Sequence, residues 1–338
     1  MGEALVDSFG RTVRDLRISV TDRCNFRCTY CMPEEGMQWL PRDELLTFEE
    51  IERVARVCVE RYGVNSIRLT GGEPTVRAHL PKLVAKLAAL RVGGVEGPAS
   101  GVDLAMTTNG ASLRLIARDL YEAGLTRLNI SCDSLQRERF LAITKRDSLD
   151  AVLSGIDAAV AAGFEPVKLN CVLMRGINDD EVVDFARFGR EHQVTVRFIE
   201  FMPLDASDEW SFNRVVPGGE IVATIDSVFP LEPVGGRGSQ PAERYRFRDG
   251  AGEIGVINSV SQPFCGNCDR IRLTAEGQLR NCLFAVHETD LRAILRRGGS
   301  DDDLAAAMEG NVARKWAGHS INQVHFIRPA RSMSQIGG

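Results

Sequence analysis

Six of the nine cysteines fall into two tight groups, and each group has the makings of a metal site. Cys24, Cys28 and Cys31 follow a C-x3-C-x2-C spacing, three thiols within eight residues. Thiolates so placed can wrap one corner of an iron–sulfur cube, hold three of its four irons and leave the fourth open to another ligand. Structural zinc is the alternative, but it usually takes four protein ligands, and no histidine or fourth cysteine stands close by. The second group is also a trio: Cys265, Cys268 and, thirteen intervening residues later, Cys282. Half a zinc ribbon is the simpler reading there, yet a fourth thiolate is again missing. Two trios suggest two clusters, each with an open iron, one to activate a cofactor and the other able to bind substrate. Of the three remaining cysteines, Cys58 lies in an amphipathic helical stretch and Cys171 in an apolar strand. Both read as small buried hydrophobes. Cys132, beside Ser131, suggests no role.

Asp269-Arg270-Ile271-Arg272-Leu273 runs between the second and third members of the later trio. In a strand, Arg270 and Arg272 share one face while Ile271 and Leu273 share the other. Two guanidiniums beside a cluster would clamp an anion or a purine. The alternative is a half-exposed strand with solvated arginines. A Gly71-Gly72-Glu73-Pro74 turn adds a place where backbone can approach a ligand closely.

Something must position these residues, and the chain alternates strand-like and helix-like runs from residue 16 to about 200. Apolar or β-branched runs occupy 16–20, 66–70, 103–107, 126–131, 167–174 and 194–199. Helical spacing fills 47–62, where Thr47 and Glu50 make a capping box, and regions near 80–90, 112–123, 150–162 and 179–192. Ala-Gly at 123–124 and 162–163 reads as a helix stop. Six βα units in series predict an α/β fold, a partial (β/α)6 TIM-type barrel, whose active site gathers where strands end. The suspicious residues do follow strands: the first cysteines, the GGEP turn, Thr107-Thr108-Asn109-Gly110, Ser131 and Met202. The Gly-rich stretch 92–101 reads as a surface loop. Beyond 205 the composition shifts to Pro, Gly and Ser, with short strands near 243–248, 254–259 and 270–274 and helices at 289–297 and 301–316. The expected division is a barrel domain over 1–205 and a smaller strand-rich extension over 206–338 that carries the second iron–sulfur site.

Charge narrows the function. The 41 basic and 46 acidic residues give a net charge of -5, which argues against a general nucleic-acid or membrane-surface role. Neither a secretory leader nor an apolar run long enough to span a membrane stands out. A cytoplasmic protein with reduced thiols is the expectation.

Cys24-Asn-Phe-Arg-Cys28-Thr-Tyr-Cys31 resembles the signature of radical S-adenosylmethionine enzymes, and the GGEP turn resembles their second mark. The whole chain, from Phe9-Gly10-Arg11 to Met333-Ser-Gln-Ile-Gly337-Gly338, resembles the GTP 3′,8-cyclase family of molybdenum cofactor biosynthesis. That resemblance implies two [4Fe-4S] clusters held by the two trios, with S-adenosylmethionine on the first. Tyr30, Gly72, Ser131 and Met202 would line the S-adenosylmethionine pocket, although Met202 suits plain core filling equally well. Arg17, Arg68, Thr107, Lys168 and the segment Arg270, Ile271 and Arg272 would contact GTP, with Arg197 a further phosphate candidate. Arg17 and Lys168 sit between apolar neighbours, and a buried cation needs a partner, either a triphosphate or a core carboxylate such as Glu200. The resemblance also gives Arg17 a catalytic part and implies that the tail residues Gly337 and Gly338 reach into the site and assist. In the implied reaction the adenosyl radical takes hydrogen from ribose C3′, the carbon radical joins C8 of guanine, and one electron plus a proton completes 3′,8-cyclo-7,8-dihydro-GTP. Its implied partners are an external one-electron donor, the downstream cyclic pyranopterin monophosphate synthase and a second copy in a homodimer.

Overall fold

Six parallel strands, each followed by helix, account for the first 200 residues of the computed structural model, which describes residues 4–33, 37–93, 100–205, 210–321, 323 and 326–337. They are β1 Asp15–Ser19, β2 Ser66–Thr70, β3 Asp103–Thr108, β4 Arg127–Ser131, β5 Val167–Leu173 and β6 Thr195–Glu200. Each pairs with the next in parallel register. The connecting helices are α1 Phe48–Arg56, α2 Leu80–Ala88, α3 Leu113–Glu122, α4 Arg137–Thr144, α5 Leu149–Ala161 and α6 Val182–Glu191. Of these, α4 escaped the periodicity reading. The Thr47–Glu50 capping box forms in both directions, at 3.1 and 2.8 Å. Its helix then loosens into a π-turn over Val57–Arg61. Part of the 92–101 loop, residues 94–99, lies outside the described residues.

Alternation along each strand separates two environments. Leu16 and Ile18 of β1 and Ile67 and Leu69 of β2 are fully buried in the apolar core. Arg17 and Arg68 take the opposite face and line a cavity inside the sheet's curve. The same split puts Val196 and Phe198 in the core and Arg197 on the cavity wall.

The residues after 205 extend the same sheet rather than forming a layer of their own. Strand β9, Glu253–Ile257, pairs parallel with β6, and β10, Arg270–Leu273, pairs parallel with β1. Antiparallel strands then finish each side: β8 Glu243–Phe247 and β7 Leu231–Val234 beyond β9, β11 Gln278–Arg280 and β12 Thr289–Asp290 beyond β10. The resulting order is β12-β11-β10-β1-β2-β3-β4-β5-β6-β9-β8-β7, an open twelve-stranded sheet. A partial barrel leaves two edges of unpaired backbone, and the later strands satisfy them. Helices α7 Gly218–Asp226, α8 Leu291–Arg296 and α9 Asp301–Ala313 complete this part, and a short final turn, α10, spans Met333–Ile336. No helix among the described residues is long and apolar enough to cross a membrane.

Candidate active site

The loop leaving β1 carries the first trio, and the GGEP turn leaving β2 fixes it. The amide of Gly72 donates to the Thr21 carbonyl at 2.8 Å, and that of Glu73 donates to the Arg23 carbonyl at 2.8 Å. A Cβ on Gly72 would press into the Arg23 carbonyl, so only glycine lets the two loops touch. The immediate need for glycine is thus contact with the cysteine loop. Glu73, fully buried, accepts from the Thr108 hydroxyl and the Asn109 amide, both at 2.6 Å, and so joins the ends of β2 and β3. Across the loop, the Tyr30 hydroxyl donates to Asp133 at 2.7 Å, and Asp133 accepts the Val172 amide at 2.8 Å. Burial pushes the thiols up, Cys24 to about 11 and Cys31 to about 12. Cys28 is raised by burial, then by Asp133, Cys31 and Cys24, so the three thiols face one another. Deprotonating all three together calls for a cationic group between them, which the irons of a cluster supply.

Strand register then sets a row of guanidiniums beyond the first trio. Arg17 of β1 lies level with Arg68 of β2 on one side and Arg272 of β10 on the other. Arg270 and Arg197 join them on the cavity wall. Two carboxylates stand among them: Asp15, 3.6 Å from both Arg17 and Arg270, and Asp269, 3.9 Å from Arg270. Burial raises the Asp15 carboxyl, but Arg17, Arg68, Arg270 and Arg272 outweigh that and hold it below the ordinary range. Burial pulls Arg68 down to about 10, with Arg17 adding to the effect. Arg197 and Arg272 are held well below the ordinary guanidinium range, first by burial and then by neighbouring arginines. Arg197 finds only neutral acceptors among the described residues, Asn170 at 2.9 Å and Asn129 at 2.6 Å. Among the described residues, the Nε atoms of Arg17, Arg68 and Arg270 have no hydrogen-bond partner. Such a concentration of buried, under-partnered cations has the chemistry to receive a polyanion. Glu200, the alternative partner for Arg17 and Lys168, is already committed. It accepts from the amides of Gly218, Val260 and Ser261 at 3.0, 2.7 and 2.8 Å.

The second trio stands at the other end of the row. Cys268 precedes Arg270, which is level with Asp15 at the start of β1, while Cys24 follows Ser19 at its end. Cys282 follows β11, which runs back antiparallel to the same end. The two trios therefore lie towards opposite ends of β1. Burial raises the Cys265 and Cys282 thiols. It raises Cys268 too, but Lys315, Arg270 and Arg17 outweigh it and leave that thiol below its ordinary range. No three histidine, cysteine or carboxylate side chains among the described residues converge as ligands of one ion do; thiolates on three different irons of a cube need not.

The C-terminal turn closes one side. Ser334 lies against Cys31 and lines the cavity with Met333. Gly337 has φ +83, and a Cβ there would run into the Ser19 and Thr70 hydroxyls. Its carbonyl accepts from Arg272.

One cavity of about 320 Å³ brings together both trios, Arg17, Arg68, Arg270, Arg272, Thr107, Tyr30, Gly72, Ser131 and Met202. Lys168 stands off its lining, but burial and then Arg197, Arg127 and Arg68 pull its ammonium down to about 8, so it feels the same cationic field. Ile271 is fully buried in the apolar core, leaving its backbone between the two arginines. Gly338 lies outside the described residues. Sequence reasoning missed Asp133, Asn170 and His319, which also line the cavity. Asp133 and Asn170 keep the strand alternation of Ser131 and Lys168 and were findable from it. His319 comes from a loop whose path carries no periodic signal.

The pattern of the Radical SAM superfamily matches residues 18–189, and that of Molybdenum Cofactor Synthesis C matches residues 194–321. A GTP 3′,8-cyclase of Rhodopirellula baltica is 49% identical, over 99% of this chain and 92% of that protein. The Corynebacterium glutamicum GTP 3′,8-cyclase is 47% identical, over 99% and 89%, and that of Mycolicibacterium smegmatis 48%, over 99% and 92%. Among solved structures, SuiB of Streptococcus suis, bound to its precursor peptide SuiA, shares the fold with a TM-score of 0.58 at 13% identity, over 83% of this chain and 64% of that one. With radical SAM membership come a [4Fe-4S] cluster and S-adenosylmethionine. Near-full-length identity approaching one half, joined to both family patterns, means that this chain belongs to the GTP 3′,8-cyclase family of the Radical SAM superfamily.

Proposed function

We infer that this cavity converts GTP to (8S)-3′,8-cyclo-7,8-dihydroguanosine 5′-triphosphate for molybdenum cofactor biosynthesis. The observation that carries it is the row of buried guanidiniums lying between two cysteine trios in one cavity. When bound at Cys24, Cys28 and Cys31, the cluster and S-adenosylmethionine supply the radical that removes hydrogen from ribose C3′. Every other task belongs to the chain. Tyr30, Gly72, Ser131 and Met202 orient S-adenosylmethionine. Arg17, Arg68, Thr107, Lys168, Arg270, Arg272 and the Ile271 backbone hold the nucleotide so that C3′ and C8 meet. Orienting reactants in a site that excludes water is a large share of what a protein can add to cofactor chemistry. The tail residues Gly337 and Gly338 assist the reaction, with Arg17 acting on the reacting nucleotide.

Cys265, Cys268 and Cys282 suit a second [4Fe-4S] cluster whose open iron meets GTP. Supporting this, the three are free thiols facing the same cavity. Residues 1–205 then form the radical-generating unit and 206–338 the substrate-holding one. The working enzyme is a cytoplasmic homodimer that draws electrons from an external one-electron donor and hands its product to cyclic pyranopterin monophosphate synthase. Iron counting on anaerobically reconstituted protein tests the cluster assignment. About eight irons are expected, falling by half when either trio is changed to alanine; an unchanged count in one variant would remove that trio from the metal sites.

A further inference from the structure

Lys315 follows α9 and is only 4% exposed. Its ammonium donates to the Cys268 carbonyl at 3.1 Å and to the Arg270 carbonyl at 2.8 Å. No carboxylate partners it among the described residues. A buried cation satisfied by carbonyl dipoles alone is costly unless an anion stands near. The second trio in its thiolate form supplies such an anion, for Lys315 acts electrostatically on both Cys268 and Cys282. Nothing in the nucleotide row requires this lysine, for it approaches β10 from α9 and is absent from the cavity lining. Arg11 grips the neighbouring backbone from outside, donating to the carbonyls of Cys265 at 2.7 Å and Ala317 at 2.9 Å. The first trio has a mixed setting, with the carboxylates Asp133 and Glu73 and the guanidinium of Arg27 around it. The balance of fixed charge therefore differs between the two sites, with Lys315, Arg270 and Arg17 all acting on Cys268 and two carboxylates against one guanidinium at the first trio.

We propose that Lys315 is a positioning residue for the second iron–sulfur site, its fixed positive charge raising that cluster's reduction potential while its two hydrogen bonds lock Cys268 to the substrate-facing Arg270. This rests on the second trio holding a cluster. Positive charge and hydrogen bonds near a cluster favour its reduced, more negative state. The consequence is an ordered pair, with the cluster near the carboxylates the stronger reductant and the one beside Lys315 the easier to reduce.

The test is a redox titration of reconstituted protein followed by electron paramagnetic resonance, on the parent chain, K315Q and K315R, with iron counted in each. K315Q removes the charge but keeps a donor, whereas K315R keeps the charge. The expected result is a second-cluster midpoint shifted to lower potential in K315Q and restored in K315R, with the first cluster unmoved in both. Loss of the second cluster in K315Q alone would also support a requirement for charge. Full iron with an unshifted midpoint in K315Q would overturn the proposal, as would loss of the cluster in both variants, since packing would then suffice. Failure of the underlying reading is distinguishable, because a chain with C265A, C268A and C282A together would then bind as much iron as the parent.

Discussion

Replacing Gly337 with alanine tests how the tail is held in the site. The residue has φ +83, and a Cβ would meet the Thr70 hydroxyl at 2.5 Å and press on that of Ser19. Left-handed backbone disfavours an L side chain by roughly 1–2 kcal/mol. Forcing a methyl into a filled space adds about 1–3 kcal/mol. Together, about 2–5 kcal/mol would shift the docking equilibrium of the last turn by roughly 30-fold to several-thousand-fold. Hydrogen exchange reads this directly, since the Gly337 amide is bonded to the Met333 carbonyl at 3.1 Å. Protection over α10 should fall by that factor while amides of β1 and β2 keep theirs. Adding S19A and T70A removes the steric part but leaves the backbone part, so protection should return only partway. An alanine variant protected like the parent would refute the reasoning, and so would a triple variant no better than the single one.

Two further outcomes follow from the cationic row. Arg68→Met removes a buried guanidinium whose Nε lacks a partner. Calorimetry should find the nucleotide-free variant more stable, by ~1–3 kcal/mol, and its GTP binding ~10–150-fold weaker for the lost charged contact. Lys168, with its ammonium pulled down to about 8, should take up a proton when a polyanion arrives. GTP affinity should therefore fall as pH rises through 8, with proton uptake measurable by titration calorimetry in buffers of different ionisation enthalpy and absent in Lys168→Met. The same depressed value means that its unfolded form binds more protons above pH 8. Its contribution to stability should consequently improve as pH rises from there toward the free-lysine range.

Local chemistry was legible in the sequence wherever spacing carries geometry. Two-residue alternation put Arg17 opposite Leu16 and Ile18, and it separated Arg270 and Arg272 from Ile271. Cysteine spacing marked both trios, and the Thr47 capping box fixed the start of α1. Long-range pairing was not legible. Nothing local says that a strand at 270 will lie beside one at 15 and bring Arg272 level with Arg17, because that register is decided by the open edge of a sheet begun about 250 residues earlier. The expected extension thus became part of the sheet itself. Gly72 illustrates a subtler gap: its type was read correctly as a close approach, but its immediate neighbour is the Arg23 carbonyl. Helix α4, with weak amphipathic patterning, and Lys315, one cation among many, gave no signal that composition or period could isolate.

The most direct test of the central claim is an anaerobic assay of the cluster-reconstituted chain with S-adenosylmethionine, GTP and a reductant, following 5′-deoxyadenosine and nucleotides by mass. The expected result is GTP-dependent 5′-deoxyadenosine together with a new nucleotide of the same mass as GTP, because the hydrogen carried off in 5′-deoxyadenosine is replaced by one electron and one proton. Deoxyadenosine with GTP left unchanged would contradict the substrate, and no deoxyadenosine from fully iron-loaded protein would contradict the enzyme.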